Sequence, residues 1–380
     1  MRLTIIKEEI AMRRSARATM RVAAVLAFLL ILVGSLPSAG AEFPPVSKDD
    51  IKVGFVYIGD VSDKGYTYAH HQGTLAMQEA LGLRDDQVLY KANVSEDAAC
   101  EAAILELIEQ GCKIIFTTSF GFMDYTEAVA AEYPNVIFSH CSGYKSNGVN
   151  FNNYFGRIYQ TRYLSGIAAG LRTQTNKIGY VGAFSLPEVI GGANAFTLGV
   201  RSVNPDAQVI LQYTNTWYDP TTERQAAEAL LDAGCDVIAQ HQDTTMPQLA
   251  AQDRGVWGVG YNADMTPDAP QAHLCAPVWN WGAYVTAAVQ SVIDGTWMPD
   301  IIFWGMSEGL VGLSPLTENN APGAQEAIDA AAALILSGDF DVFDGPISDN
   351  EGTLRVAEGV RMTDLEITTI DWYVDGLTLK

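Results

Sequence analysis

Segments about 120 residues apart in this chain echo one another in the same order. Lys52-Val53-Gly54-Phe55-Val56 returns as Lys177-Ile178-Gly179-Tyr180-Val181, and Gly111-Cys112-Lys113-Ile114-Ile115 returns as Gly234-Cys235-Asp236-Val237-Ile238. Gly143-Tyr144 is echoed by Gly260-Tyr261. Each echo alone is short, but three in the same order point to two lobes of like topology. Within the first unit, apolar runs at 53–58, 114–118 and 136–139 read as strands, and 68–81, 98–109 and 126–133 as helices. Strands and helices alternating at this spacing make βαβ units and parallel sheets. The expected fold class is therefore α/β with two parallel-sheet lobes. Ligands of such sheets sit beyond the carboxyl ends of the strands, so a ligand held between the lobes would meet the loops at 59–68, 118–124, 139–144, 184–194, 214–219, 240–244, 261–264 and 278–282.

The first forty-one residues have a different composition. They hold six basic side chains against two acids, then an apolar run at 22–33 that is short for a membrane span, then Ala39-Gly40-Ala41. This pattern reads as a signal peptide cut before Glu42, with Met12 an alternative start. No cysteine lies near the cut, so no lipid anchor is expected. The whole chain carries 23 Lys and Arg against 45 Asp and Glu, a net −22, and loss of the leader makes it −26. That balance argues against a nucleic-acid backbone or an anionic membrane surface as partner.

The five cysteines are odd in number and none forms a CxxC pair, so neither a disulfide framework nor a zinc site is indicated. Cys100 and Cys112 flank one expected helix and would stand roughly 18 Å apart, too far to bridge. One long-range disulfide stays open as an alternative to five small buried thiols. The chain has no GxxxxGK[ST] loop, no GxGxxG after a strand and no HExxH helix. No cofactor, metal or catalytic residue is expected. The five histidines are scattered, and His241, at a strand end in Gln240-His241-Gln242-Asp243, is the one that could face a ligand.

Several longer stretches are more distinctive: Val53-Gly54-Phe55-Val56-Tyr57 with Gly59-Asp60, Gly65-Tyr66-Thr67-Tyr68-Ala69-His70, residues 116–124 (FTTSFGFMD), residues 150–163 (NFNNYFGRIYQTRY), Asn194-Ala195-Phe196-Thr197-Leu198-Gly199, Asn215-Thr216-Trp217-Tyr218-Asp219-Pro220 and Trp279-Asn280-Trp281-Gly282. Together they resemble the basic membrane protein (BMP) family of ABC-importer substrate-binding proteins, similar to purine nucleoside receptor lipoproteins. The resemblance implies a type I periplasmic binding fold, two Rossmann-like lobes joined by crossover hinge strands. It further implies a periplasmic receptor for a purine base or nucleoside that works with an inner-membrane ABC permease and is not an enzyme. Asp63-Lys64-Gly65-Tyr66-Thr67 stands where nucleoside-binding members carry Asp-x-Ser-Phe-Asn, so the amide is missing and a free base such as adenine or hypoxanthine is favoured.

A purine needs aromatic walls and a few polar groups at its edge. The candidate walls are Tyr66, Phe120, Phe184, Trp217 and Trp281, the last of which could instead pack at the hinge. The candidate edge is Asp63, Asn194, His241, Gln242, Asp243 and Asp264, with Ser119, Asp124 and Glu188 as second choices. The expected organisation is a leader at 1–41, an N-terminal lobe at 42–155, a C-terminal lobe at 156–275, and segments at 276–380 that return across the hinge to complete both lobes. A monomer is expected. The rival readings are a receptor of the same fold for a sugar or other small polar solute and, more remotely, a secreted nucleoside hydrolase.

Overall fold

Strand segments that are buried on both faces require helices above and below, and Val53–Val56, Ile114–Thr117 and Ile137–Cys141 are buried at every position. The computed structural model describes residues 43–380; the expected signal peptide lies outside the described residues. β1 (Val53–Val56), β2 (Val88–Lys91), β3 (Ile114–Thr117), β4 (Ile137–Cys141) and β5 (Phe151–Gly156) pair in parallel in the order β2-β1-β3-β4-β5. β6 (Lys177–Gly182), β7 (Gln208–Tyr213), β8 (Val237–His241), β9 (Trp257–Val259) and β10 (His273–Cys275) repeat that order as β7-β6-β8-β9-β10. The sequence echoes fall at matching places in the two sheets: on β1 and β6, at the approach to β3 and β8, and just past β4 and β9.

The rest of the chain is shared between the lobes. β11 (Pro277–Trp279) pairs antiparallel with β13 (Val311–Leu313). Between them the helix Trp281–Asp294 packs on the first-lobe helix Tyr66–Leu81, and β12 (Ile302–Trp304) adds a parallel edge strand to β5. The helix Ala324–Ser337 packs on Ile158–Arg172 of the second lobe. β14 (Ile347–Ser348) and β15 (Leu354–Val356) form a small hairpin, and β16 (Leu377–Leu379) closes the second sheet beside β7. The chain thus crosses between lobes near residues 157, 280 and 305. All five cysteines are buried and free, so no disulfide links the described segments. Among the described residues no helix is long and apolar enough to cross a membrane.

The second lobe is built around a close contact between the helices Ile158–Arg172 and Pro187–Val203. A Cβ on Gly199 would overlap the Tyr163 carbonyl, a backbone atom that cannot swing away. Gly199→Ala is therefore expected to cost about 1–3 kcal/mol of unfolding free energy through overpacking. Urea denaturation checks this, and an unchanged midpoint would mean that the helix pair relaxes freely.

Candidate ligand-binding cleft

Nine residues enclose a cavity between the two sheets, and each follows the carboxyl end of a strand. Ile58 and Tyr66 follow β1, Ser119 and Phe120 follow β3, and Ser142 follows β4; Glu188, Trp217, Asp243 and Tyr261 follow β6, β7, β8 and β9. The empty space between them, open solvent included, amounts to about 380 Å³.

The first-lobe rim is shaped by carboxylates that serve the backbone. Asp63 accepts hydrogen bonds from the N–H groups of Gly65 (2.8 Å), Thr67 (3.2 Å) and Tyr68 (2.9 Å). It thereby caps a helix whose own N-cap residue, Gly65, has no side chain. This presents Tyr66 to the cavity, its hydroxyl 3.3 Å from the Cys141 sulfur. Glu96 accepts from the Ser119 hydroxyl (2.5 Å) and the Gly121 N–H (2.8 Å), fixing the turn from which Phe120 projects.

The second lobe supplies the charged groups. Asp243 is 7% exposed and accepts from the Asn262 amide at 2.9 Å. Burial, reinforced by the charges of Asp63 and Glu223, holds its carboxyl well above the usual range, although the Asn262 amide and the Tyr66 backbone N–H pull the other way. Glu188 lies in the first turn of Pro187–Val203 with Oε1 3.4 Å from His241 Nε2. Burial raises its pKa to about 7 against the opposing pull of the Arg162 charge. Burial, with Arg162 again nearby, keeps His241 well below its ordinary value and therefore neutral. The Gln242 amide donates to the Thr214 hydroxyl, while its Oε1 has no partner among the described residues.

Arg162 is the one buried Lys or Arg among the described residues. Its Nη1 donates to the Gln240 carbonyl at 2.6 Å and its guanidinium carbon lies 3.9 Å from the centre of the Tyr261 ring. It backs a cavity wall with a cation, and among the described residues it forms no ion pair. Sequence reasoning missed Arg162 because it sits on a helix and not in a strand-end loop. Ile58, Ser142 and Tyr261 do lie at strand ends, and the Gly260-Tyr261 echo was the available signal for the last.

Six of the expected residues line the cavity: Tyr66, Ser119, Phe120, Glu188, Trp217 and Asp243. His241 and Gln242 stand directly behind it, and Phe184 packs edge-on to Trp217 at 5.3 Å. Five others point elsewhere. Asp63 is consumed by its turn. Asp124 is exposed and pairs with Lys145 at 2.9 Å. Asn194 donates to the Trp372 carbonyl (2.8 Å) and accepts from the Val374 N–H (3.0 Å), clasping the C-terminal segment. Asp264 turns onto the N–H and hydroxyl of Thr266. Trp281 has both faces covered, by His70 and Trp279, each 4.2 Å between ring centres. Its neighbour Trp279 is buried as well, because the strand ends there and a helix begins at Trp281.

Glu188 gives a pH signature. Its folded pKa of about 7 lies above its ordinary 4.5, so the native state keeps a proton that the unfolded chain has released. The contribution is complete below pH 4.5 and is lost as the pH rises through 7. Unfolding free energy of the ligand-free protein is expected to fall across that window, and Glu188→Gln to remove this part of the slope. Urea titrations at several pH values within it check the assignment, which an unaltered slope in the variant would refute.

The cleft offers stacking surfaces and hydrogen-bond acceptors. Residues 50–337 match the Bmp family, described as ABC transporter substrate-binding protein PnrA-like. A purine-binding protein of Brucella abortus is 40% identical over 334 residues, covering 88% of this chain and 95% of that protein. A putative ABC transporter glucose-binding protein of Haloferax volcanii is 37% identical, covering 81% and 78%. Among solved structures, a solute-binding protein of an ABC transporter system from Conexibacter woesei superposes with a TM-score of 0.65 at 21% identity, covering 77% of this chain and 98% of that one, a likeness of fold. The two parallel-sheet lobes are those of the type I solute-binding fold, and the family consists of binding proteins, not enzymes, that take a small molecule to a membrane permease. On these grounds the chain belongs to the Bmp family of PnrA-like ABC transporter substrate-binding proteins.

Proposed function

We propose that this protein captures a purine base, of the adenine or hypoxanthine type, or a purine nucleoside, and carries it as a periplasmic monomer to an inner-membrane ABC permease. The observation that carries the reading is the placement of Tyr66, Phe120, Trp217 and Tyr261 around the same space as the carboxyl groups of Glu188 and Asp243. Aromatic walls stack on a flat heterocycle, and carboxylates accept from its ring N–H and exocyclic amine. The Brucella relative supports the same ligand class. Tyr66 is followed by Thr67 and not by the amide of nucleoside-binding relatives, which favours the free base.

A sugar is the second reading, favoured by the Haloferax relative. Against it, no Lys or Arg lines the cavity to clamp hydroxyl groups. Purified protein is to be denatured and the released small molecules read by ultraviolet absorption, alongside calorimetric titration with adenine, hypoxanthine, their nucleosides and glucose. Purine release or purine binding is expected; binding of glucose alone would overturn the reading.

A further inference from the structure

Tyr66 and Tyr261 line the cavity from opposite lobes, and behind it a continuous series of ring contacts connects them. The Tyr66 ring meets His70 edge-on at 4.5 Å. His70 lies flat on Trp281 (4.2 Å, 9°), and Trp281 lies flat on Trp279 (4.2 Å, 15°). Trp279 Nε1 then donates to the Tyr261 hydroxyl at 3.1 Å. The stack passes through the second crossing between the lobes, where Trp279 ends β11 and Trp281 begins the helix that packs on Tyr66–Leu81.

These rings are not filler that any apolar residue would replace. Trp281 Nε1 and His70 Nε2 are both buried without a partner among the described residues, an arrangement that carries a desolvation penalty a phenylalanine would avoid. Burial holds His70 well below its ordinary pKa, so it stacks as a neutral ring. Flat rings already in van der Waals contact cannot approach further, and a change in lobe angle at this crossing must slide one over another. Sliding would move Tyr66 relative to Tyr261.

We propose that the His70–Trp281–Trp279 stack is a positioning element that sets the separation of the two cavity walls and couples ligand occupancy to the angle between the lobes. This rests on the cavity being the ligand site, as proposed above, and not on which ligand fills it. None of the three side chains lines the cavity, so each acts through Tyr66 or Tyr261.

The test uses whichever of adenine, hypoxanthine or glucose binds the intact protein. Affinity is measured by equilibrium dialysis in Trp281→Phe and Trp279→Phe, with His70→Asn as a third variant should either fail to fold. A loss of about tenfold is expected, with circular dichroism unchanged. The readout that a merely structural role would not move is tryptophan emission. In Trp217→Phe protein, which lacks the indole at the cavity, ligand addition is expected still to change emission, and adding Trp279→Phe and Trp281→Phe should abolish the change. Wild-type affinity in the stack variants, or no emission change in Trp217→Phe protein that binds, overturns the proposal. If none of the three probes binds, the ligand reading fails by itself. The stack is then judged by small-angle scattering of ligand-free protein, where Trp281→Leu should enlarge the radius of gyration, and an unchanged radius refutes the proposal.

Discussion

Gly65→Val is expected to weaken ligand binding about ten- to a hundredfold while shifting the melting temperature of the ligand-free protein by only a few degrees. Gly65 precedes the helix Tyr66–Leu81 on the first lobe, and a Cβ there would overlap the backbone carbonyl and the Cβ of Asp243 on the second. Neither atom can rotate out of the way, so the lobes can meet as they do here only if the backbone shifts. Overpacking of this kind costs about 1–3 kcal/mol or more. It falls on the closed arrangement alone, because an opened cleft separates the two residues. Apparent affinity scales with the fraction of molecules able to close, so the whole cost appears in Kd. The exposed Lys64–Asp268 pair, at 2.6 Å across the same seam, adds little to closure in water. Calorimetric titration beside thermal melting separates the effects, and a variant that binds normally would show that closure does not need this contact.

Asp243→Ala should lose binding by a similar or larger factor with a different signature. The carboxyl is buried, close to Asp63 and Glu223, and held well above its usual pKa, so the empty cleft pays to keep it there. Removing it relieves that cost, and the ligand-free protein is expected to melt no lower than the wild type. Ligand donors would lose their acceptor and the Asn262 amide its partner, a combination worth about 2–4 kcal/mol at a buried anchor. Asp243→Asn keeps the shape and one acceptor oxygen, so it should fall between. Ligand that prefers ionised Asp243 must displace its proton, and affinity should therefore rise with pH in the wild type and flatten in the Asn variant. A variant that melts early yet binds normally would make Asp243 a structural residue.

The parts of this molecule legible in the sequence are those that depend on local pattern. Fully buried strands such as Ile114–Thr117 announce themselves as apolar runs, and the echoes around β1 and β6 carry the duplicated strand order. β2 (VLYK) is half exposed and has no such run, and β12 and β16 are three-residue edge strands whose pairing depends on distant partners. At the cleft, the strand-end rule located Tyr66, Glu188, Trp217 and Asp243 near the cavity because topology places those loops together. It could not say whether an acid is already occupied. Asp63, Asp264 and Asn194 look like free ligand groups in the sequence, but Asp63 and Asn194 are bonded to backbone groups and Asp264 to the N–H and hydroxyl of Thr266. Arg162 is obscured for the opposite reason: its role depends on a tertiary contact with Tyr261, whereas packing at the hinge is one of the two roles the sequence leaves open for Trp281.

The late edge strands also bear on how the molecule comes into being. The first sheet lacks β12 until residue 304 has been made, and the second lacks β16 until residue 379. A nascent chain therefore cannot finish the first lobe until much of the second has been made, since the first sheet gains its second edge only at β12 and the second sheet only at β16. Pairings of such long sequence separation are slow to form. The two lobes, which look like independent halves in the finished fold, are expected to mature together, as a single late event that follows synthesis of β16.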